Sequence, residues 1–303
     1  MKSVAFIIPC YNEGHSIDLV VQEILTKFPS AGIFVCDNNS TDKTSQVASD
    51  AGATVLFEQR KGKGNAVRRL LRDVDAEIFV MVDGDNTYDL SGLGQAIDQF
   101  QKGCYDLMTG DRFAGKSRSH FRKGHGAGNF FFTSFFRLAF GIQTRDVFSG
   151  LRIFSRRLVK TLPLVSAEFE IETELTIYAA RMRLPTLDFP TSVCSRVNSE
   201  SKLSTYVDGL KILAFSLRLL HREFPLRIYL PLSSLSAFIA ACLFVIPYSE
   251  FLTTGLVSKI PTLVTSTVFV SIAIISLFAG LILKEISNLK YEQRYLHYLT
   301  YSR

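Results

Sequence analysis

The sequence predicts an α/β fold, a mostly parallel sheet packed between helices, followed by two membrane-crossing helices. Three observations carry this reading. Across residues 4–82, short apolar runs alternate with stretches of helical apolar spacing. Polar motifs fall at the carboxyl end of each run, where open α/β sheets bind their ligands. Beyond residue 224 charges vanish over two long runs, 228–249 and 260–283.

Taken in order, residues 4–8 form an apolar run stopped by Pro9-Cys10-Tyr11-Asn12, a buried strand. Residues 16–27 place Ile17, Val20, Val21, Ile24 and Leu25 at helical spacing. Residues 32–36 are a second strand ending at Asp37-Asn38-Asn39-Ser40, after which Ser40 or Thr41 is expected to cap a helix reaching about residue 51. Thr54–Phe57 is a third strand, and Lys61-Gly62-Lys63-Gly64 opens a helix to about residue 72. Residues 77–82 form a fourth strand that leads directly into Asp83.

After Asp111 the pattern weakens. Residues 112–123 read as a basic loop, 129–140 are rich in phenylalanine, 169–181 read as a helix, and 186–189 and 192–197 are strand-like. Residues 206–224 interleave Leu210, Leu213, Leu217 and Leu220 with Lys211, Arg218 and Arg222, the pattern of an amphipathic helix lying on a membrane surface. An ordinary domain helix is the alternative.

Each charge-free run is long enough, as a helix, to cross about 30 Å of hydrocarbon. A pair of buried core helices is the competing reading. Arg218, Arg222 and Arg227 precede the first run and Lys284, Lys290 and Arg294 follow the second, so the positive-inside rule places both termini in the cytoplasm. The resulting division is a soluble domain over 1–203, a juxtamembrane helix over 204–227, a two-helix anchor over 228–284 and a cytoplasmic tail over 285–303. The run before Pro9 is too short for a signal peptide.

Five cysteines (Cys10, Cys36, Cys104, Cys194 and Cys242) lack metal-ligand spacing and read as unpaired thiols. The net charge of +6 lies largely in 112–123 and beside the spans. Anionic lipid or phosphate, rather than nucleic acid, is the expected partner. A homo-oligomer stays possible.

Asp83-Gly84-Asp85 sets two carboxylates one residue apart at a strand end, suited to share Mg2+ or Mn2+ with a diphosphate. Standing alone, the same triplet is as readily a solvated Asp-Gly turn. The stretch 37–42 could contact a base or ribose, or could simply supply turn and capping chemistry. Lys61-Gly62-Lys63-Gly64 puts cations and backbone amides at a helix start, where anions bind, but it lacks the spacing of a Walker A loop.

Taken together, Ile7-Ile8-Pro9-x-Tyr11-Asn12-Glu13, Asp37-x-x-Ser40-Thr41-Asp42, Lys61-Gly62-Lys63-Gly64-x-Ala66 and Val82-Asp83-Gly84-Asp85 resemble the family-2 glycosyltransferases of GT-A fold. Gly110-Asp111-Arg112-Phe113, residues 146–152 and Arg196-x-x-Ser199-Glu200-Ser201-Lys202-Leu203 resemble their polyprenyl-phosphate branch, which includes dolichol-phosphate-mannose synthases and bactoprenol glucosyltransferases. The resemblance covers roughly residues 3–225.

It implies that Pro9, Tyr11, Glu13 and Asp37 line a nucleoside pocket, with Lys63 also on the donor side. Asp83 would face ribose and diphosphate, and Asp85 would ligate the metal. Arg112 would approach phosphate or lipid head; Asp146, Ser149 and Arg152 would shape the acceptor side; Glu174 would sit near the sugar; Arg196 and Lys202 would hold the acceptor phosphate. Asn38-Asn39 and Asp111 depart from the commoner pattern, and Thr87 stands where a third metal ligand often lies.

The reaction so implied is inverting transfer of a sugar from a nucleotide-diphosphate-sugar to a polyprenyl phosphate at the cytoplasmic membrane face. A processive polysaccharide synthase is disfavoured, since its usual QxxRW motif needs a tryptophan and this chain has none. A glycan or protein acceptor, or a non-catalytic adaptor binding nucleotide-sugars, are the other readings.

Overall fold

The structure is a computed structural model that describes residues 3–114, 125–194 and 205–301. It divides into two compact units, Met1–Ile212 with Arg294–Arg303, and Leu213–Gln293.

Within the first unit, the described strands form one seven-stranded sheet in the order β3-β2-β1-β4-β6-β5-β7. Strands β1 (Val4–Cys10), β2 (Gly32–Asp37), β3 (Thr54–Phe57) and β4 (Ile78–Met81) pair in parallel. They alternate with α1 (Ile17–Lys27), α2 (Thr44–Asp50) and α3 (Lys63–Asp73). Side chains of β1 divide by parity: Phe6 and Ile8 join a core with Ile17, Val21 and Ile24 of α1 and Leu93, Ile97 and Phe100 of α4 (Leu93–Gly103). The opposite face of β1 meets α3. The period-2 alternation of a strand thus buries both faces of the sheet.

The sheet is mixed rather than wholly parallel. Strand β6 (Arg152–Ser155) runs antiparallel between β4 and β5 (Leu107–Asp111), and β7 (Thr186–Pro190) pairs in parallel with β5. A four-residue strand passing straight into α6 (Arg156–Thr161) is too short to show a period in sequence. Its reversed direction matters. Arg152, the first residue of β6, pairs with Met81 near the end of β4, so the 146–151 turn arrives at the edge where β1, β2 and β4 end.

Three boundaries differ from expectation. Helix α2 starts at Thr44, not at Ser40 or Thr41, because Asp42 accepts from the Thr44 amide at 3.0 Å and also from its hydroxyl. The helix expected over 169–181 is α7 (Ile171–Arg181). Of the strand expected over 192–197, Val193 makes an isolated bridge to Tyr88, and residues 195–204 lie outside the described residues. The phenylalanine-rich stretch lies in α5 (His125–Phe140), where Phe132 and Phe136 pack on Phe148 at 5.7 and 6.1 Å.

The second unit holds α9 (Leu226–Thr254), most of α10 (Ile260–Thr300) and the end of α8 (Thr205–Glu223). Helices α9 and α10 are long and apolar enough to cross a membrane. Only 17% and 22% of their most apolar windows are buried, which separates them from the core helices of a soluble domain. Small residues let them touch: Ser233 Oγ donates to the Ala273 carbonyl at 2.8 Å, and a Cβ at Gly280 would come within 2.7 Å of Tyr229.

Residues 285–300, expected as a tail, continue α10, and its last turns belong to the first unit. There Tyr298 donates to Asp106 Oδ2 at 2.6 Å and stacks under Arg157, whose guanidinium grips both Asp106 oxygens at 2.5 and 2.6 Å.

Candidate active site

Strand order reverses between β1 and β4, since β2 and β3 lie on one side and β6, β5 and β7 on the other. Such a switch point opens a crevice at the carboxyl ends of the strands. A cleft of about 320 Å3 lies there, lined by Pro9 near the end of β1, Tyr11 and Glu13 after it, Lys61 just before α3 and Lys63 at its start, Asp83 and Asp85 after β4, and Phe169.

The strand-end motifs brace one another. The Asn12 amide donates to Ser40 Oγ at 2.9 Å, and Asn12 Oδ1 accepts from the Thr41 amide at 2.8 Å. Asn38 Oδ1 accepts from the Gly62 amide at 2.6 Å while its Nδ2 donates to the Arg60 carbonyl at 2.7 Å. Asn38 therefore ties β2 to the lysine-glycine loop. Lys61 Nζ donates to the Tyr11 hydroxyl at 3.2 Å and lies 5.0 Å from the centre of its ring.

Asp37, the expected nucleoside contact, is the last residue of β2. Its Oδ1 accepts from the Ser40 amide at 2.9 Å, Oδ2 accepts from Ser45 Oγ, and it is not among the residues lining the cleft.

Lys63 sits between two carboxylates, with Nζ 2.5 Å from Asp83 Oδ1 and 2.6 Å from Glu172 Oε1. Burial opposes its charge, but Asp83 and then Glu172 outweigh that and raise its pKa well above the ordinary lysine value. The far side of Asp83 rests on Gly150, where an added Cβ would fall 2.2 Å from Oδ2. The Gly150 amide donates in turn to the buried Tyr88 hydroxyl at 2.7 Å.

Asp85 is nearly buried and faces the same cleft. Its Oδ1 accepts from Thr87 Oγ1 at 2.6 Å, so the residue at the third-ligand position orients the carboxylate from behind. Asp85 offers the hard oxygen donors that Mg2+ or Mn2+ requires. Among the described residues no three His, Cys, Asp or Glu side chains converge on one metal position. The residues therefore fit a cation that draws most of its ligands from a diphosphate and water, the usual state of Mg2+ in nucleotide sites.

Glu174, expected beside the sugar, is not among the residues lining the cleft. It is fully buried and accepts from the amides of Val165 and Ser166, at 3.1 and 2.9 Å, and from Ser166 Oγ at 2.6 Å. The loop it clamps is the one against which Gly62 and Gly64 pack; a Cβ at either would come within 2.2 Å of the Ala167 carbonyl or 2.4 Å of the Ser166 carbonyl. Those glycines serve close approach to this loop. Glu172, two residues earlier on α7, is the carboxylate that reaches the cleft's lysine.

Arg112 pairs with Asp146, Nε to Oδ2 at 2.6 Å and a second nitrogen to Oδ1 at 2.8 Å. Arg152 is wholly buried, donating to the carbonyls of Ser149 and Val147 and to Thr176 Oγ1, at 2.8, 2.6 and 2.8 Å. It holds the 146–151 turn through these carbonyls. Ser149 Oγ is buried with no hydrogen-bond partner among the described residues. Burial raises the Asp111 carboxyl above its ordinary range. Arg196 and Lys202 lie outside the described residues.

The glycosyl transferase family 2 domain matches residues 5–162. Glycosyltransferase AglJ of Haloferax volcanii is 34% identical over 209 residues, 68% of this chain and 68% of that protein. Protein RfbJ of Shigella flexneri is 50% identical over 123 residues, 41% of this chain and 95% of that protein. A dolichyl-phosphate hexose transferase of Haloferax volcanii is 27% identical over 69% of this chain and 90% of its own length. Among solved structures, glucosyl-3-phosphoglycerate synthase from Mycobacterium tuberculosis, in complex with Mn2+, UDP and phosphoglyceric acid, superposes with a TM-score of 0.56. It shares 20% identity and covers 72% of this chain and 78% of that one. At that identity the likeness shows the fold alone, which is GT-A-like. The chain belongs to glycosyl transferase family 2 and is a transferase.

Proposed function

We propose that this family 2 glycosyltransferase moves a sugar from a UDP- or GDP-sugar to a polyprenyl phosphate at the cytoplasmic face of a membrane, with inversion. The observation that carries the reading is the cleft at the sheet's switch point, bearing Asp83, Asp85 and Lys63, in a chain that also has two helices able to cross a membrane. Similarity to a dolichyl-phosphate hexose transferase supports the lipid acceptor. The Mn2+ and UDP of the structural neighbour support the donor class.

Tyr11 and Lys61 form a flat, cationic wall suited to a base. Asp85 would hold Mg2+ or Mn2+, which when bound supplies positive charge to the departing diphosphate. An acceptor phosphate is already anionic near neutrality, so this site needs alignment rather than a strong general base. Arg196 and Lys202 are proposed to align it, guanidinium as a fork of donors and ammonium as a point charge. Arginines and lysines beside the spans favour cytoplasmic termini.

Full-length protein in detergent, given labelled UDP- or GDP-sugars, Mg2+ or Mn2+ and undecaprenyl or dolichyl phosphate, should carry label into the organic phase. Asp85→Ala should abolish that transfer. Undiminished transfer by Asp85→Ala, or label passing only to water-soluble acceptors, overturns the proposal.

A further inference from the structure

Lys63 sets a cation against the carboxylates proposed to receive a metal. Its ammonium lies 2.5 Å from Asp83, one of the two carboxylates of the Asp83-Gly84-Asp85 turn, and is anchored from the other side by Glu172 at 2.6 Å. All three groups are poorly exposed: the side chains of Lys63, Asp83 and Glu172 are 13%, 25% and 5% accessible. Removing a buried carboxylate's cation is costly unless another cation or donor replaces it. A divalent ion approaching Asp83 in the donor-free protein must therefore displace an ammonium that has two anionic partners.

Geometry keeps Lys63 there. Its backbone is fixed between Gly62 and Gly64, both packed on the 166–167 carbonyls, and that loop is clamped by Glu174. Glu172 stands on the same helix as Glu174, within the buried run of α7, so the second anchor is as rigid as the first. On its other side Asp83 lies so close to Gly150 that an added Cβ there would clash with it. A flexible lysine stem, however, can swing its ammonium by a few ångströms within the cleft it already lines.

We propose that Glu172 is a positioning residue that parks the Lys63 ammonium on Asp83 while no donor is bound, and that a nucleoside diphosphate draws the ammonium off, so that metal and donor bind as a pair. This rests on the nucleotide-sugar reading above. A diphosphate offers Lys63 a replacement anion, and its departure uncovers the Asp83 carboxylate at the moment Asp85 and the diphosphate can share a cation. Binding linkage then requires reciprocity: the factor by which nucleotide raises metal affinity equals the factor by which metal raises nucleotide affinity.

The test is Mn2+ binding to full-length, detergent-solubilised protein, followed by the electron paramagnetic resonance signal of free Mn2+, alone and with UDP or GDP. In the wild type the nucleotide that binds should raise Mn2+ affinity about tenfold or more, with an equal effect of Mn2+ on that nucleotide. Lys63→Met should raise nucleotide-free Mn2+ affinity about tenfold and shrink the coupling to a small factor; Glu172→Gln should do the same to a lesser degree. A purely structural ion pair predicts lower melting temperatures in both variants with no gain in Mn2+ affinity.

Wild-type Mn2+ affinity that is already tight and insensitive to a bound nucleotide overturns the proposal without reference to any variant. An unresponsive Glu172→Gln beside a responsive Lys63→Met overturns the role given to Glu172. Failure of both UDP and GDP to bind, with or without Mn2+, sinks the nucleotide-sugar reading itself.

Discussion

Replacing Gly150 by alanine probes whether the position of Asp83, rather than its mere presence, matters. The backbone at Gly150 does not need glycine's left-handed conformation, so the effect comes from the added methyl alone. That Cβ would stand 2.2 Å from Asp83 Oδ2 and 2.7 Å from Cγ, the first of these well inside the 3.0 Å that real Cβ contacts respect. Two movements can relieve the clash. The 149–151 turn can retreat, but Arg152 holds the Ser149 carbonyl at 2.8 Å and Tyr88 holds the Gly150 amide at 2.7 Å. Alternatively the carboxylate slides, and then it leaves Lys63, which grips Oδ1 at 2.5 Å. Overpacking of this kind costs about 1–3 kcal/mol of stability, while a misplacement near 1 Å at a reacting centre costs roughly 100-fold in rate. Gly150→Ala should therefore remain folded by circular dichroism and lose about 100-fold in kcat/KM for sugar transfer. Gly92→Ala, where nothing lies within 4 Å of the new methyl, is the control and should leave both unchanged. Gly150→Ala with transfer within about threefold of wild type would refute the idea that Gly150 sets Asp83.

Other substitutions follow from the same contacts. Glu174→Gln removes charge-assisted bonds to the Val165 and Ser166 amides and should lower unfolding free energy by about 1.5–3 kcal/mol, read from chemical denaturation. Donor affinity should weaken with it, because the clamped loop supports Lys63. Tyr298→Phe strips one bond from the buried Asp106 and should cost about 1.5–3 kcal/mol, seen as earlier melting, with nucleotide binding retained. Burial pushes the Cys36 thiol from its ordinary 9.0 up to about 12. The folded state thus keeps a proton that the unfolded chain loses above pH 9, so stability should fall as pH rises from 9 to about 12, and Cys36→Ala should flatten that limb of the denaturation profile.

Much of the site was legible in the chain. Strand ends advertise themselves because an apolar run of period 2 must stop where polar residues begin, and in a parallel sheet every such stop lies on one edge. Asp83, Asp85, Lys63, Tyr11 and Glu13 could be grouped on that ground alone. The two charge-free runs were equally plain, since no arrangement of neighbours is needed to recognise a stretch that hydrocarbon would accept.

What the chain could not disclose was which polar groups spend their bonds on the protein itself. Asp37 and Glu174 have the chemistry of ligand contacts, yet their oxygens are taken by nearby amides and hydroxyls. Glu172 carried no signal of its own in the chain, and only the packing of α7 against the lysine-glycine loop put its carboxylate on Lys63. Gly150 became part of the site through an antiparallel strand too short to be seen beforehand. Local pattern determines where a turn falls along the chain. Which side chain meets which across more than a hundred residues depends on the register of strands and the depth of packing, and only the tertiary structure decides that.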